Sequence, residues 1–264
     1  MTATNRKTAL VTGASGGIGE ALARTLAQHG YNLILVARTA SKLEALGAEL
    51  IAKNGIQTTS IANDLSAFDA SEKLVKELET RGLNVDVLVN NAGFGEYGDF
   101  ATGDPIKQQQ MILLNVMTLT MLTRALLPKM LERKSGRIMN VASTAAFMPG
   151  PLMSVYYATK AYVLSFSEAL AEELVGSGVT VTALCPGPTE SDFQARADMQ
   201  DSKLVKGKAL MTSKEVSEEG IAALERGQRV VIPGLMNQLQ AQVSRFLPRA
   251  LVPGIVKNAQ ARNH

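Results

Sequence analysis

The chain has 264 residues, 46% of them hydrophobic and 19% charged, a balance typical of a globular protein and long enough for one α/β domain with a large core. Its formal net charge of +3 is small and dispersed along the sequence, which argues against a nucleic-acid partner. Cys185 is the single cysteine and the two histidines, His29 and His264, stand far apart, so we expect no disulfide, no metal site and a reducing, cytoplasmic setting.

The sequence shows no sign of a targeting or membrane segment. The opening residues MTATNRK contain no apolar stretch of the kind found in secretory signals. No run of about 18 uninterrupted apolar residues occurs, which is the length that a spanning helix requires. We therefore expect neither export nor a membrane span.

The first predicted unit is a strand, a glycine-rich turn and a helix between Thr8 and Glu20, which read TALVTGASGGIGE. Glycines let the backbone lie close to a bulky anion. The following helix points its free N–H groups and the positive end of its dipole at the same place. The unit predicts a pyrophosphate-binding turn, although glycines also build ordinary tight turns.

A second buried strand at 32–37 ends beside Arg38, about 20 positions beyond the glycines. In dinucleotide-binding folds the residue at this place faces the adenosine ribose, where a carboxylate favours NAD and an arginine favours NADP. The sequence has Ala37 and Arg38 there, and the guanidinium offers a planar, permanently charged fork for a phosphate. We therefore predict NADP(H) over NAD(H); the alternative is an exposed arginine at a strand end.

Strands and helices continue to alternate, which predicts a parallel sheet. A helix at 41–53, a strand at 57–62 and a helix at 68–81 lead to a strand at 85–89 and then to Asn90-Asn91-Ala92-Gly93. Small polar residues at the carboxyl end of a central parallel strand lie where open α/β sheets bind ligands. This turn is therefore a second part of the predicted site.

A long apolar helix is predicted at 104–133, with Asn115 among apolar neighbours. A buried Asn is costly unless its amide is hydrogen-bonded, so a satisfied core Asn is one interpretation. A fifth strand at 136–142 then ends at Ser143.

Tyr156 and Lys160 follow on one face of the next predicted helix. The Tyr-x-x-x-Lys spacing alone is common, but its combination with a Ser at a strand end and the two turns is specific. Tyr157 has a different spacing to Lys160 and is interpreted as a packing residue.

Together these motifs resemble the short-chain dehydrogenase/reductase family. Thr12, Gly13, Gly17 and Gly19 form T-G-x-x-x-G-x-G, and the N-N-A-G turn and the Ser–Tyr–Lys set follow. The resemblance covers about residues 8–232 and implies a single Rossmann-type, doubly wound α/β domain at 1–232. Its parallel sheet would have seven strands in the order 3-2-1-4-5-6-7. Residues 233–264 are then a C-terminal amphipathic helical extension of the same domain.

The resemblance also implies which residues hold the cofactor. Asp64 and Leu65 after the third strand would reach the adenine, although an acid at a helix N-terminus is an open interpretation of Asp64. A Pro-Gly turn after a strand at 179–184 would line the nicotinamide, and the following Thr would bond its carboxamide. The implied cofactor-binding residues are Gly13, Ser15, Gly17, Ile18, Gly19, Arg38, Asp64, Leu65, Asn91, Ala92, Gly93, Tyr156, Lys160, Pro186, Gly187 and Thr189.

The same resemblance, with elementary chemistry, gives the catalytic roles. Hydride transfer to a carbonyl leaves an alkoxide that must gain a proton, and a tyrosine pKa of about 10 is too high for this near neutrality unless it is lowered. Tyr156 is assigned as acid/base, and Lys160, which also binds the ribose, lowers the tyrosine pKa together with the positive nicotinamide. Ser143 would hydrogen-bond the carbonyl oxygen. Asn115 would hold a water that supports the proton relay.

These assignments predict an NADP(H)-dependent oxidoreductase that interconverts a carbonyl and an alcohol. A weakly active nucleotide-sensing protein and a lipid-handling reductase at a membrane surface are the alternatives. The substrate is expected to be mainly apolar, because the residues placed around it are Phe94, Ala145, Phe147, Met148, Leu152, Met153 and Phe193. The resemblance implies a homotetramer or homodimer formed through the helices at 104–133 and 154–175.

The end of the chain carries two further predictions. Residues 190–211 lack a regular pattern and are interpreted as a lid over the substrate, before a helix at 214–226 and a strand at 229–232. From Arg229 onward the sequence has five Arg or Lys and no Asp or Glu, with Leu235, Leu239, Val243 and Phe246 at helical spacing. Such a basic amphipathic tail covers a substrate pocket, forms a subunit contact or lies on an anionic membrane, and we favour the first two.

Overall fold

A computed structural model of the protein describes residues 6–191, 193–197, 199, 202–203 and 209–261. The described strands are β1 (Thr8–Thr12), β2 (Asn32–Ala37), β3 (Thr58–Ala62), β4 (Val87–Asn90), β5 (Gly136–Val141), β6 (Val179–Leu184), β7 (Thr189–Glu190), β8 (Met211–Thr212) and β9 (Val230–Val231). Seven of them form one parallel sheet in the order β3-β2-β1-β4-β5-β6-β9, and β7 pairs separately with β8. The predicted sheet and its order are confirmed, with β9 as the seventh strand.

Helices lie between the strands along the chain, as the predicted alternation requires. They are α1 (Gly17–Gln28), α2 (Ala40–Asn54), α3 (Ala70–Thr80), α4 (Pro105–Ile112), α5 (Leu119–Glu132), α6 (Ser154–Glu173), α7 (Phe193–Arg196), α8 (Ser213–Glu225), α9 (Leu235–Phe246) and α10 (Val252–Gln260). A π-helical turn at Leu113–Thr118 joins α4 to α5, and a 3₁₀ turn at Thr144–Phe147 follows β5.

Both faces of the sheet are buried, which explains why its strands are continuous apolar runs. Neighbouring residues on a strand point to opposite faces. Val11 therefore packs in the core cluster that includes residues of α1, α2 and α8, whereas Leu10 packs in the cluster that includes residues of α3, α5 and α6. With both faces covered, the loops at the carboxyl ends of the strands are left to build a site.

The turn between β1 and α1 has no room for side chains. Gly13 has a φ of +67°, which glycine adopts without strain. A Cβ on Gly19 would lie 2.2 Å from the Gly13 carbonyl oxygen and 2.3 Å from Asn91 Nδ2. Asn91 is held there because its side-chain amide donates to the Thr12 carbonyl oxygen at 2.9 Å. The first turn of α1 can approach this junction so closely only with glycine at position 19.

The long helix predicted at 104–133 is present but is not regular throughout. The Asp104 side chain caps α4 by accepting a hydrogen bond from the Ile106 amide at 2.9 Å. The π-helical turn then interrupts the α-helix around Asn115. Such turns are rare and are found frequently at functional sites.

The helical segment Pro105–Glu132 is long and apolar enough to pass a length-and-hydropathy test for a membrane span, with a mean hydropathy of 1.5. Among the described residues it is the one segment that does so. In the fold 39% of its most apolar window is buried, and Leu122 and Met130 pack in the core beside the sheet. Core helices pass the same test, so this is weak evidence for a span.

The predicted lid at 190–211 is described only in part. It contains α7, and β7 pairs with β8 across its two ends. The Phe193 ring lies against the Tyr156 ring, with centroids 5.3 Å apart. Residues 192, 198, 200–201 and 204–208 of this segment lie outside the described residues, so the lid stays a prediction.

The helical spacing predicted in the C-terminal extension is confirmed by α9 and α10. Val252 and Val256 of α10 are buried in a cluster that includes Tyr157 of α6. The Gln260 side-chain amide donates to the Tyr157 hydroxyl, and the Gln260 carbonyl oxygen accepts from the Tyr97 hydroxyl at 3.2 Å. The second helix of the extension therefore packs on α6 beside the predicted catalytic tyrosine, which supports the interpretation as a pocket cover.

We predict that Gly19→Ala lowers the free energy of unfolding by about 1–3 kcal/mol, because the added Cβ has to displace the Gly13 carbonyl or the Asn91 amide. Urea unfolding followed by circular dichroism measures the change. Gly254→Ala is the matched control, since Gly254 is also helical and nothing lies within 4 Å of its Cβ position. The control is expected to be neutral or stabilising by up to about 1 kcal/mol. Equal stability of wild type and Gly19→Ala would contradict the close approach.

Candidate active site

The loops at the carboxyl ends of the parallel strands surround a cleft of about 580 Å³, a size typical of small-molecule and cofactor sites. Every residue predicted from sequence to hold a cofactor lines it, from Gly13, Ser15 and Ile18 after β1 to Thr189 after β6. Ser143 lines it as well, whereas Asn115 is not among the described lining residues. The structure therefore brings together side chains that are spread over most of the sequence.

The glycine turn is tied to the N-N-A-G turn by the Thr12 side chain. Its hydroxyl accepts hydrogen bonds from the amides of Asn91 (2.9 Å) and Ala92 (3.0 Å) and donates to the Val89 carbonyl oxygen (3.2 Å). α1 begins beside this junction, and no side-chain hydrogen bond caps its N-terminus in the described structure. Its first N–H groups can therefore meet an anion at the positive end of the helix dipole.

The end of the cleft at β2 and β3 carries the charges predicted for the adenosine half. Arg38 is exposed at the end of β2, and no described residue forms a hydrogen bond or ion pair with its guanidinium. The Asp64 carboxylate accepts from the Ser66 hydroxyl (2.7 Å) and amide (3.1 Å), and these bonds, with the charge of Arg38, hold the pKa of Asp64 below its usual value. Asp64 caps a separate turn ahead of α3, so its interpretation as a helix N-terminal acid is wrong.

Tyr156 and Lys160 project from α6 into the cleft, opposite Ser143 at the end of β5. The Lys160 ammonium donates to the Val141 carbonyl oxygen at 2.7 Å, and its Nζ lies 5.8 Å from the centre of the Tyr156 ring. The Ser143 hydroxyl donates to the Pro186 carbonyl oxygen at 3.3 Å and accepts from the Ala145 amide at 3.1 Å. Backbone carbonyl groups at the ends of β5 and β6 thus hold the side chains of Lys160 and Ser143 in place.

Burial sets the pKa values of both α6 side chains. Desolvation raises the pKa of the Tyr156 hydroxyl well above its usual value, and a hydrogen bond with Ser143 opposes only part of the rise. Desolvation also lowers the pKa of Lys160 to about 8. The predicted lowering of the Tyr156 pKa by Lys160 and the oxidised nicotinamide concerns the cofactor-bound site, so it stays a prediction.

Asn115 lies behind the wall of the cleft, with its side-chain amide fully engaged. Its Nδ2 donates to the Phe94 carbonyl oxygen (3.0 Å) and the Thr159 hydroxyl (3.1 Å), and its Oδ1 accepts from the Phe94 amide (3.2 Å). This is the satisfied core Asn of the sequence analysis. Gly93 separates it from Lys160, since a Cβ on Gly93 would lie 2.9 Å from Asn115 Oδ1 and 3.6 Å from Lys160 Nζ. The water-mediated relay stays a prediction.

The turn after β6 is closed by its own side chains and by the C-terminal extension. The Thr189 hydroxyl donates to the Gly187 carbonyl oxygen at 2.9 Å, and the Gln194 side-chain amide donates to the Thr189 carbonyl oxygen at 2.6 Å. A Cβ on Gly187 would lie 2.3 Å from Oδ1 of Asn237 in α9. The Pro-Gly turn is therefore packed against the extension, which explains the need for glycine at this position.

Five of the seven residues predicted to surround a substrate line the cleft: Phe94, Ala145, Met148, Met153 and Phe193. The other two do not line it. Phe147 ends the 3₁₀ turn and packs against the apolar cluster around Leu119 and Val163. Leu152 adopts a φ of +67° and lines an adjoining cavity of about 180 Å³, which shares Met153 and Tyr156 with the cleft, so its part in substrate binding stays a prediction. A pattern of apolar residues in a loop does not reveal which side of the loop each one faces.

Sequence reasoning missed two groups of residues. Met199 and Gln240 line the cleft, but they come from a segment without periodicity and from the extension, so nothing in the sequence connects them to the strand ends. A buried polar chain was also missed: Asn90 donates to the Thr123 hydroxyl (3.0 Å) and to Asn140 (2.9 Å), and Asn140 donates to the Ser167 hydroxyl (2.9 Å). A polar residue such as Asn140 in the middle of an apolar strand was the available signal.

Known proteins share this fold and these motifs. A family model described as short chain dehydrogenase matches residues 7–202. The chain is 39% identical over 194 residues to a short chain dehydrogenase of Pseudocercospora fijiensis and 37% identical over 182 residues to the very-long-chain 3-oxoacyl-CoA reductase of Bos taurus. These matches cover 73% and 67% of this chain, but the chain spans 62% and 58% of the length of these curated relatives.

A solved structure of a short-chain dehydrogenase from Sphingobium yanoikuyae in complex with NADPH is similar over nearly the whole chain. The TM-score is 0.80 at 30% sequence identity, over 92% of this chain and 97% of that one. The family match includes the glycine turn, the N-N-A-G turn, Ser143, Tyr156 and Lys160. The chain therefore belongs to the short chain dehydrogenase family of oxidoreductases.

Proposed function

We propose that the protein is an NADP(H)-dependent oxidoreductase that interconverts a mainly apolar ketone or aldehyde and its alcohol. The observation that carries the proposal is that one cleft holds both the glycine turn at α1 and the side chains of Ser143, Tyr156 and Lys160. A protein that merely senses a nucleotide needs the first group but has no use for the second. The nicotinamide cofactor, when bound, supplies or accepts the hydride.

The residues of the cleft fit a phosphorylated dinucleotide. The uncapped first turn of α1 offers N–H groups for a pyrophosphate, and the close approach of Gly13 and Gly19 leaves backbone rather than side chains around it. Arg38 supports a preference for the 2′-phosphate of NADP, because its guanidinium is exposed and unpaired by the described residues. The similar protein from Sphingobium yanoikuyae was solved with NADPH, which agrees with this assignment.

Tyr156 is proposed as the proton donor to the carbonyl oxygen during reduction. Its raised pKa keeps the hydroxyl protonated at neutral pH, which is the state that a proton donor requires. Oxidation of the alcohol needs the tyrosinate, and the positive charges of Lys160 and of the oxidised nicotinamide are proposed to offset its desolvation. Ser143 is proposed to donate a hydrogen bond to the carbonyl oxygen as negative charge develops there.

Lys160 and Asn115 are proposed to support this proton transfer. The Lys160 ammonium has three donors and uses one on Val141, so two remain for the hydroxyls of a ribose. Asn115 fixes the backbone of Phe94 and is separated from Lys160 by Gly93 alone, so its proposed part in a relay needs a water between them. These two roles follow from position and donor count rather than from contact with a substrate.

The proposed substrate is an apolar carbonyl compound without a fixed charge. Phe94, Met148, Met153, Phe193 and Met199 supply aromatic rings and flexible thioethers, which adapt to irregular shapes. The charged lining residues at this end, Glu96 and Lys107, form an ion pair with each other at 3.6 Å. By its name the Bos taurus relative reduces very-long-chain 3-oxoacyl-CoA. Such a thioester is a second candidate, whose acyl chain suits the apolar lining and whose charged CoA lies outside the uncharged class.

A homodimer or homotetramer through α4–α5 and α6 is part of the proposal. Large apolar side chains are exposed on these helices, namely Ile112, Met121, Leu131 and Tyr162. Exposed apolar residues at this density on two neighbouring helices support a subunit contact.

We predict that Tyr156→Phe lowers turnover of a ketone by about 10²- to 10⁴-fold, because it removes the hydroxyl proposed to protonate the carbonyl oxygen. NADPH affinity, measured by nucleotide fluorescence, is expected to change little. Tyr162→Phe is the matched control on the same helix, and it should retain wild-type turnover because Tyr162 is exposed and bonds to Thr120. Turnover retained by Tyr156→Phe would refute the proton-donor role.

Arg38→Asp is predicted to invert the coenzyme preference, since it replaces a phosphate-binding cation by an anion that repels the phosphate and accepts from ribose hydroxyls. The measurement is the ratio of kcat/KM for NADPH to that for NADH. Lys76→Asp makes the same charge change on the exposed face of α3 and should leave the ratio unaltered. Equal use of both coenzymes by the wild type would end the assignment of Arg38.

A further inference from the structure

The first helix of the C-terminal extension, α9, has its apolar face turned to solvent. Leu235, Leu239, Val243 and Phe246 fall within an arc of about 80° around the helix axis, and all four are exposed, Phe246 to 85%. The side that packs on the protein is small: Ala241, on the opposite face, is fully buried. A surface helix of a globular protein normally has the reverse arrangement.

The apolar surface continues onto α10. Leu251 and Ile255 are exposed one helical turn apart, on the side away from the buried Val252 and Val256. We call the six exposed side chains of the two helices the tail face: Leu235, Leu239, Val243, Phe246, Leu251 and Ile255. Six large exposed apolar side chains on two consecutive helices indicate a surface that is covered by another molecule.

The charged residues of the extension itself are all of one sign. Arg249 and Lys257 are exposed beside the tail face, and from residue 229 onward the sequence has no Asp or Glu. One acid from another element lies at the start of α9, where the Glu219 carboxylate of α8 accepts from the Gly234 amide at 3.3 Å. An apolar helix face bordered by cations is complementary to an anionic lipid surface, where the side chains enter the acyl boundary and the cations meet the headgroups.

We propose that the tail face docks on an anionic phospholipid bilayer, with α9 lying in the interface. A second copy of the chain is a poorer partner, because a symmetric contact through this face would bring cations against cations with no acid from the extension to pair them. From the sequence we favoured a pocket cover or a subunit contact for the extension. In the structure its two helices differ, because α10 packs on α6 whereas the apolar face of α9 is exposed.

Docking in this way places the mouth of the cleft beside the bilayer. Gln240, next to Leu239 on α9, lines the cleft, so the tail face and the cleft mouth are adjacent. An apolar carbonyl compound dissolved in the lipid could then reach the cleft without crossing water. This consequence rests on the proposed function, whereas the docking itself does not.

The test is co-sedimentation of the full chain with vesicles of phosphatidylcholine, with and without phosphatidylserine. The variant Leu239→Gln/Val243→Gln/Phe246→Gln removes the apolar face without touching a buried side chain, and Arg249→Glu/Lys257→Glu reverses the charge. The control Ile51→Gln/Phe68→Gln/Phe100→Gln removes three exposed apolar side chains elsewhere. We expect the wild type and the control to bind the phosphatidylserine vesicles within about twofold of each other, and both tail variants to bind about tenfold or more weakly.

Three outcomes would overturn the proposal. The wild type could fail to bind either vesicle, or the control could lose as much affinity as the tail variants. Analytical ultracentrifugation without vesicles supplies the third: a drop in the mass of the protein in the apolar tail variant would show that the face joins two copies. Turnover of a water-soluble ketone is read in parallel and should be equal in all forms, so that failure of docking and failure of the proposed function are distinguished.

Discussion

The site depends on one junction, where the Thr12 hydroxyl binds the amides of Asn91 and Ala92 and the Asn91 side chain binds the Thr12 carbonyl. These bonds join the ends of β1 and β4 and leave little space between them and α1. A Cβ on Gly13 or Gly19 would lie less than 3 Å from a neighbouring atom, so both positions require glycine. The N-terminus of α1 is thereby aimed into the cleft.

Desolvation is the largest influence on the pKa values of Tyr156 and Lys160. The lowered pKa of Lys160 corresponds to roughly 3 kcal/mol of unfavourable charge burial, and the tyrosine hydroxyl is shifted in the opposite direction by the same cause. Burial therefore favours the neutral tyrosine hydroxyl and makes the Lys160 ammonium easier to deprotonate than an exposed one. In the proposed function, a positively charged nicotinamide and a ribose that engages the ammonium shift this balance, so proton transfer depends on occupation of the cleft.

The sequence allowed the order of the sheet and about half of the residues that line the cleft to be predicted, because continuous apolar strands, glycine turns and i, i+4 pairs are local patterns. What it could not show depends on contacts between distant segments. The Gln260–Tyr157 contact joins α10 to α6, between residues that are 103 positions apart in the sequence. Packing also decides the direction in which Phe147 and Leu152 point from their loop. The rise of the Tyr156 pKa in the chain alone was not visible from the sequence for the same reason, since burial is a property of the folded chain. The amphipathic spacing of α9 could be predicted from the sequence. The sequence did not show that the apolar side of this helix faces solvent.

We propose that this cleft transfers hydride between a nicotinamide and a carbonyl carbon. The most direct test is reduction of a prochiral ketone with NADPH that carries deuterium at C4 of the nicotinamide in either configuration, followed by mass spectrometry of the alcohol. We expect one of the two labelled forms to place deuterium on the carbinol carbon and the other not to. The reason is that a single cleft holds the cofactor in one orientation, which presents one face of the nicotinamide to the ketone. Binding of NADPH with no label in any product would contradict it.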